Sequence, residues 1–259
     1  MQIRAIPAFV DNYLWLIGDG PEVVVVDPGD AAPVQAVLDA EGLRLAAILI
    51  THHHPDHTGG IAALTQRWHI PVIGPAAERD RIRGLTQALV DGESIQLLGV
   101  EFEVLSVPGH TSGHIAYYAP ALASLFCGDT LFSAGCGRLF EGTPQQMHAS
   151  LQRLAALPAN TQVYCTHEYT LSNLSFALAV EPDNADIRAH RDHVESLRRN
   201  QQPSLPTNLT LERQINPFLR SDIPAVVEAA ERWSGQRCDD AVSVFAQLRR
   251  WKDGFRAAP

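Results

Sequence analysis

The 259-residue sequence has few of the features that mark exported, membrane-bound or nucleic-acid-binding chains. Only one of its 20 basic residues is a lysine, and its formal net charge is −9, so its overall field attracts neither nucleic acid nor an anionic membrane. No stretch approaches the ~20 apolar residues of a membrane span. Residues 1–20 lack the charged and apolar regions of a secretory signal. We therefore expect a cytoplasmic protein that binds neither nucleic acid nor membrane.

Paired cysteines are also missing. The four cysteines are scattered and show no C-x-x-C spacing: Cys127, Cys136, Cys165 and Cys238. Without an export signal, reduced thiols are the default for such a chain. Disulfides are therefore not expected to stabilise the fold.

Short apolar runs between Gly/Pro turns fill the first two-thirds of the chain. Their β-branched content predicts strands at residues 14–17, 23–26, 47–50, 72–74, 102–106, 115–118, 124–127 and 162–165. Apolar residues at three- and four-residue spacing predict helices at 32–40, 60–67, 144–156, 171–180, 185–200, 224–233 and 239–251. This order predicts a layered α/β domain over residues 1–168, followed by a small helical domain over residues 169–259.

Histidines and aspartates are concentrated in one pattern with the chemistry of a metal site. Seven of them follow predicted strands: His52, His54, Asp56, His57, His110, Asp129 and His167. Imidazole and carboxylate are good ligands for divalent transition metals, and a carboxylate can bridge two cations. Seven ligands exceed the tetrahedral set of one zinc. The sequence therefore predicts two divalent ions, zinc in the first place, with iron or manganese also compatible.

The motif T-H-x-H-x-D-H at residues 51–57, with later His, Asp and His, resembles the signature of the metallo-β-lactamase superfamily. The resemblance implies an αββα sandwich with the metals at one edge, between the sheets. It also implies how the ligands are shared out: His52, His54 and His110 for the first metal, Asp56, His57 and His167 for the second, and Asp129 bridging both.

Along its whole length the sequence also resembles the glyoxalase II family, the hydroxyacylglutathione hydrolases. The segments that carry this resemblance are residues 6–9, 11–13, 27–30, 128–132, 134–138, 140–143, 167–170 and 249–253. It implies hydrolysis of S-D-lactoylglutathione to D-lactate and glutathione, the second step of methylglyoxal detoxification. It implies a substrate-binding role for the helical domain, and contacts to glutathione from Arg138, Phe140, Tyr169, Arg249 and Lys252.

The chemistry of the residues suits that reaction. A cation lowers the pKa of bound water toward ~7, so a metal-bridging hydroxide can attack a thioester carbonyl directly. Asp56 and Asp129 would orient this hydroxide. Many family members carry Lys where this chain has Arg138, which keeps the charge, and Tyr where it has Phe140, which loses a hydroxyl. A nucleophilic cysteine is redundant here, so Cys136 is assigned a structural role.

Other functions of the same scaffold stay open from sequence. One is another hydrolase, either a β-lactamase or an RNA-processing nuclease; the net charge of −9 argues against the nuclease. A second is a persulfide dioxygenase with one iron, and a third is a metal-binding relic without catalysis. Asp27 and His114 are either structural or orient metal ligands. We expect a monomer that acts on a small-molecule substrate.

Overall fold

Two six-stranded sheets form the centre of the computed structural model, which describes residues 1–256. The first sheet contains, in spatial order, β1 (Ile3–Ala8), β2 (Asn12–Ile17), β3 (Glu22–Val26), β4 (Arg44–Leu49), β5 (Val72–Pro75) and β6 (Gln87–Leu89). The second contains β7 (Ser94–Leu97), β8 (Val100–Ser106), β9 (Ile115–Ala119), β10 (Ser124–Gly128), β13 (Gln162–Cys165) and β14 (Thr207–Asn208). A separate small hairpin pairs β11 (Leu131–Phe132) with β12 (Gly135–Cys136).

Strand direction decides where the loops of the first sheet emerge. Its first three strands are antiparallel, whereas β3 to β6 run parallel. The carboxyl ends of β3 and β4 therefore meet at one edge, where residues 27 and 50–57 follow. Most residues of β2, β3 and β4 are buried rather than alternating, because both faces of this sheet are covered.

Helices cover the sheets on both sides. They are α1 (Ala31–Glu41), α2 (Pro55–Thr58), α3 (Ile61–Trp68), α4 (Pro144–Ala155), α5 (Thr170–Val180), α6 (Ala185–Arg199), α7 (Leu209–Ile215), α8 (Pro224–Ser234) and α9 (Ala241–Gly254). Val34, Leu38 and Leu64 of α1 and α3 pack on the outer face of the first sheet. A second core lies between the sheets, around Trp15, Phe102 and Phe126, and continues into α4 and α9. This arrangement confirms the predicted αββα sandwich with a helical C-terminal part.

Local sequence signals fix the ends of several helices. Thr143 and Asp240 form capping boxes at the starts of α4 and α9, which satisfy backbone N–H groups that would otherwise lack acceptors. Gly42 and Gly235 end α1 and α8 in the left-handed conformation. The last two turns of α9 carry Arg249 and Lys252, and Arg249 reaches the Cys136 carbonyl of β12.

The helices after residue 168 share a small core of their own as well as the central one. Leu174 and Ala177 of α5 pack against Ile187 and Val194 of α6. The division at residues 168 and 169 remains a prediction, and residues 257–259 of the predicted helical domain lie outside the described residues. Within residues 1–256, no helix has both the length and the apolar character needed to cross a bilayer.

Candidate metal centre

All seven predicted ligands lie at one edge of the sandwich, in the segments that follow β4, β8, β10 and β13. The short helix α2 carries Asp56 and His57, and His54 precedes its first residue. This helix lies so close to the turn after β3 that a Cβ on Gly29 would come within 1.8 Å of the Asp56 carbonyl oxygen. Glycine at position 29 therefore allows the loop that carries the ligands to approach the first sheet.

Three histidines converge on the first of two positions. The Nδ1 of His54 lies 3.0 Å from the Nε2 of His52 and 3.0 Å from the Nε2 of His110. A tetrahedral metal with bonds of about 2.0–2.1 Å separates its ligand atoms by roughly 3.3–3.4 Å, which is close to this spacing. Burial lowers the pKa of all three imidazoles, so they are neutral and able to ligate a cation.

Asp56, His57 and His167 define the second position. The Oδ2 of Asp56 lies 3.5 Å from the Nε2 of both His57 and His167. Asp129 reaches both positions: its Oδ1 lies 3.4 Å from His57 Nε2, and its Oδ2 lies 3.4 Å from His167 Nε2 and 3.5 Å from His110 Nε2. The spacing of Asp129 is that of a carboxylate shared between two cations.

Buried polar atoms test whether these residues fit a metal. Within residues 1–256, neither His57 Nε2 nor Asp129 Oδ1 has a hydrogen-bond partner, although both are fully buried. Burial alone would lower the pKa of His57, but the neighbouring Asp129 and Asp27 carboxylates raise it well above its usual value. His167 behaves in the same way, with a pKa of about 10, because Asp129 and Asp56 outweigh burial. This surplus of buried negative charge and unpaired ligand atoms fits a binuclear divalent metal centre.

The outer nitrogen of three of these imidazoles, those of His52, His110 and His167, has a hydrogen-bond partner, which aims the other nitrogen at the centre. His110 Nδ1 donates to the Arg138 carbonyl at 2.9 Å, and His167 Nδ1 donates to Asp11 Oδ1 at 2.8 Å. His52 Nδ1 lies 3.1 Å from the Thr51 hydroxyl. Such partners fix ring orientation and tautomer. Sequence reasoning assigned no role to Asp11, which is 156 residues from its histidine, although residues 11–13 carry part of the family resemblance.

Both residues left open by the sequence, Asp27 and His114, contact the ligand loops. Asp27 accepts hydrogen bonds from the backbone N–H and hydroxyl of Thr51, at 2.8 and 2.7 Å, and lies 3.0 Å from His57 Nδ1. His114 stacks on His52 with centroids 4.5 Å apart, and its Nε2 accepts from the Asp129 N–H at 3.2 Å. Both residues therefore orient ligands.

A cavity of about 480 Å³ opens over the centre. All five predicted substrate-binding residues line it: Arg138, Phe140, Tyr169, Arg249 and Lys252. Phe132, Ser172 and Asn173 line it as well and were not predicted; Phe132 lies in the motif segment 128–132, whereas nothing in the local sequence marks Ser172 and Asn173. The cavity therefore combines metal ligands, rings and cations from both parts of the chain.

The three cationic side chains that line the cavity differ in exposure and in hydrogen bonding. Arg249 is 5% exposed and donates to the Cys136 carbonyl and to Asp253, each at 2.9 Å. Lys252 donates to the Ser172 carbonyl at 3.1 Å, and burial lowers its pKa to about 8. Arg138 is exposed at the mouth. Burial also raises the pKa of Cys136, so its thiol is neutral and packs beside Arg249.

Two rings flank the centre. Phe140 is 62% exposed and meets His54 and His110 edge-on, with centroids 5.7 and 5.2 Å apart. Tyr169 lies on the face of His167, and burial raises its pKa to about 12. The Tyr169 hydroxyl is therefore a neutral hydrogen-bond donor at neutral pH.

The fold and ligand set define the metallo-β-lactamase superfamily, whose family model matches residues 9–167. The model described as the hydroxyacylglutathione hydrolase C-terminus matches residues 168–255. A hydroxyacylglutathione hydrolase of Pseudomonas aeruginosa is 58% identical, covering 98% of this chain and 100% of the relative. One from Cupriavidus taiwanensis is 54% identical, covering 99% and 100%. The chain belongs to the hydroxyacylglutathione hydrolase family, the glyoxalase II enzymes.

Solved structures share the fold of the superfamily. The BLEG-1 B3 metallo-β-lactamase is 26% identical with a TM-score of 0.66, covering 84% of this chain and 99% of that one. The di-iron-bound form of TTHA1623 is 29% identical with a TM-score of 0.59, covering 85% and 100%. The full-length match to hydroxyacylglutathione hydrolases confirms the predicted enzyme family. It does not favour a persulfide dioxygenase or another hydrolase of this fold.

Proposed function

We propose that the chain hydrolyses S-D-lactoylglutathione, and related 2-hydroxyacylglutathiones, to the 2-hydroxy acid and glutathione. The observation that carries the proposal is the cavity, in which two convergent sets of metal ligands face three cationic side chains. A hydrolytic centre beside a cluster of cations suits an anionic thioester. The family membership supports the same reaction.

The proposed ligand sets follow the two positions of the centre. The first metal is assigned to His52, His54 and His110, the second to Asp56, His57 and His167, and Asp129 is shared. When bound, two divalent cations supply a hydroxide at neutral pH and stabilise the negative charge that develops on the thioester carbonyl oxygen. We propose zinc in both positions; iron or manganese suits the same nitrogen and oxygen donors.

Asp56 and Asp129 have a second task in the proposed reaction. Their carboxylates lie between the two ligand sets, where they would orient a hydroxide supplied by the bound metals toward the carbonyl carbon. Asn12 donates to Asp56 Oδ2 at 3.2 Å and so restrains this carboxylate. Orientation of the nucleophile is worth several powers of ten in rate when the reacting atoms are held in line.

The cations and rings of the cavity bind the glutathione part. Glutathione has two carboxylates, which we assign to Arg138 and Lys252 because both line the cavity; Arg249 holds the adjacent Cys136 carbonyl and adds positive charge. The Tyr169 hydroxyl donates a hydrogen bond, and the Phe140 ring offers an apolar face. A hydrogen bond from position 140 is excluded because phenylalanine lacks a hydroxyl.

The leaving group needs no dedicated acid. A glutathione thiolate has a pKa near that of free cysteine, ~8.5, so it departs readily at neutral pH. Cys136 lines the cavity, but its neutral buried thiol is held beside Arg249 and has no hydrogen bond to a basic group that could deprotonate it among residues 1–256. We therefore infer that no covalent acyl-enzyme forms.

We also infer a cytoplasmic monomer. All four cysteines are free thiols, three of them buried, which suits a reducing compartment. Sedimentation velocity on the metal-loaded chain tests the state of assembly. A stable dimer at micromolar concentration would contradict the monomer.

Steady-state turnover of S-D-lactoylglutathione, with metal counted on the same sample, tests the reaction. We expect hydrolysis when both positions are filled and a much weaker activity toward the D-lactoyl thioester of N-acetylcysteine, which lacks the γ-glutamyl and glycyl parts. Full metal occupancy without thioester hydrolysis would overturn the proposal.

A further inference from the structure

A buried glutamate lies beside the first metal position without belonging to the ligand set. Glu78 ends the short 3₁₀ turn Ala76–Glu78 that follows β5, and it is only 2% exposed. A carboxylate taken out of water must be compensated by several donors. The identity of those donors shows what this side chain holds.

Each carboxylate oxygen of Glu78 is hydrogen-bonded to a different loop. Its Oε2 accepts from the backbone N–H of His53 at 2.7 Å and lies 2.8 Å from His53 Nδ1. Its Oε1 accepts from the Thr111 hydroxyl and from the Gly113 N–H, the latter at 3.1 Å. One side chain therefore joins residue 53 to residues 111–113.

These two loops carry the three ligands of the first position. His53 stands between His52 and His54, and Thr111 directly follows His110. The loops come from different sheets, because one follows β4 and the other lies between β8 and β9. Glu78 thus ties the two sheets together at the edge where the three imidazoles meet.

Gly113 provides an independent view of the same contact. A Cβ built on Gly113 would come 2.5 Å from Glu78 Cγ and 2.9 Å from the Ala77 Cβ. A methyl group there would therefore displace the buried Glu78 side chain. The missing side chain at position 113 is therefore what lets the carboxylate reach both loops.

We infer that Glu78 is a positioning residue that preorganises the His52–His54–His110 set for its metal by bonding both ligand loops at once. Without the two contacts of Glu78, more of the ordering of these loops falls to the metal, which weakens binding, although the Ile115 N–H still donates to the Thr51 carbonyl at 3.0 Å. The inference rests on the proposed ligand assignment and extends it to a residue outside the ligand set.

The test uses the full-length chain with zinc, titrated against a chelator of known affinity. In Glu78→Ala we expect the first-position affinity to fall by about 10–100-fold, with the second position little changed. The kcat should recover at saturating zinc and KM should stay near the wild-type value. Gly113→Ala should reproduce the loss of zinc affinity, since it displaces the same carboxylate.

Two matched variants separate positioning from general stability. Glu181→Gln removes a buried carboxylate that pairs with Arg220 and touches neither ligand loop, and Gly20→Ala adds a methyl group where nothing lies within 4 Å. Both should retain wild-type zinc affinity. Unchanged zinc affinity in Glu78→Ala and Gly113→Ala would overturn the inference. If wild type binds two zinc ions but leaves the thioester intact, the reaction proposal fails while the affinity test still stands.

Discussion

Tyr169 lies flat on the imidazole of His167, with ring centroids 4.7 Å apart and planes within 2° of parallel. One residue thus packs its ring on a candidate metal ligand and also lines the cavity where we propose that the substrate binds. Removing only the hydroxyl should separate the two roles. In Tyr169→Phe we expect KM to rise about 3- to 10-fold with kcat nearly unchanged, which is the cost of one hydrogen bond.

The companion variant Tyr169→Ala removes the stacked ring as well. It should weaken metal binding at the second position in addition to raising KM, because His167 loses one of its two restraints and keeps only the hydrogen bond to Asp11. Steady-state kinetics and metal counts on both variants provide the measurement. Equal metal loss in Tyr169→Phe and Tyr169→Ala would contradict a role of the ring in holding His167.

The pH dependence of kcat/KM should reflect the protonation state of Lys252. Burial, with a smaller contribution from Arg249, lowers the pKa of this ammonium to about 8. Below that pH the free enzyme carries the charge that a glutathione carboxylate needs; above it, binding must also take up a proton. We therefore expect kcat/KM to decline as pH rises through about 8. The decline in kcat should come at a higher pH, because a bound carboxylate stabilises the charged form of Lys252.

Variants of Lys252 check the assignment. Lys252→Arg should remove the decline up to the highest pH that the fold tolerates, because a guanidinium stays protonated to about pH 12. Lys252→Ala should raise KM by about 10- to 100-fold and alter kcat much less. An identical alkaline limb in wild type and Lys252→Arg would assign that limb to another group.

The convergence of the seven candidate ligands was predictable because their signal is local. Four stand within six residues, and each of the others, such as His110, follows an apolar strand. Strand ends gather at sheet edges, so the sequence pattern already brings these side chains together. What it could not predict is which nitrogen faces inward: His54 uses Nδ1, whereas His52 uses Nε2.

The partners that orient the ligands were less accessible to sequence. Asp11 and Glu78 lie 156 and 25 residues from the histidines they contact, and neither separation is a motif spacing that could be recognised in a sequence. Strands β6 and β7 were missed for a related reason. They have three and four residues, and each exposes part of its length, so neither has a continuous apolar run.

Asp11 should control the second metal position through His167. Its carboxylate accepts the Nδ1–H of that imidazole at 2.8 Å and is one cause of the raised pKa of His167. In Asp11→Ala we expect zinc affinity at the second position to fall by about 10–100-fold. Asp11→Asn keeps an acceptor oxygen and should lose less.

Chelator titration of the same samples, with Asp19→Ala as the control, measures this effect. Asp19 is an exposed carboxylate that pairs with the N-terminal ammonium, so its loss should leave zinc binding unchanged. Wild-type affinity in Asp11→Ala would show that His167 keeps its orientation through the Tyr169 stack alone.

Arg138 should act on substrate capture in a way that depends on salt. Its side chain is exposed at the mouth of the cavity, unlike the buried Arg249, so the charge is screened by solvent and ions. At low ionic strength we expect Arg138→Ala to raise KM about 2- to 5-fold, the range of an exposed ion pair, and Arg138→Lys to leave it unchanged. In about 0.5 M salt the difference in KM between wild type and Arg138→Ala should shrink toward zero.

Arg237→Ala is the control, because it removes an exposed charge outside the cavity lining, and it should leave KM unaltered at both salt concentrations. A KM penalty in Arg138→Ala that persists undiminished at high salt would mean that this guanidinium is desolvated in the complex.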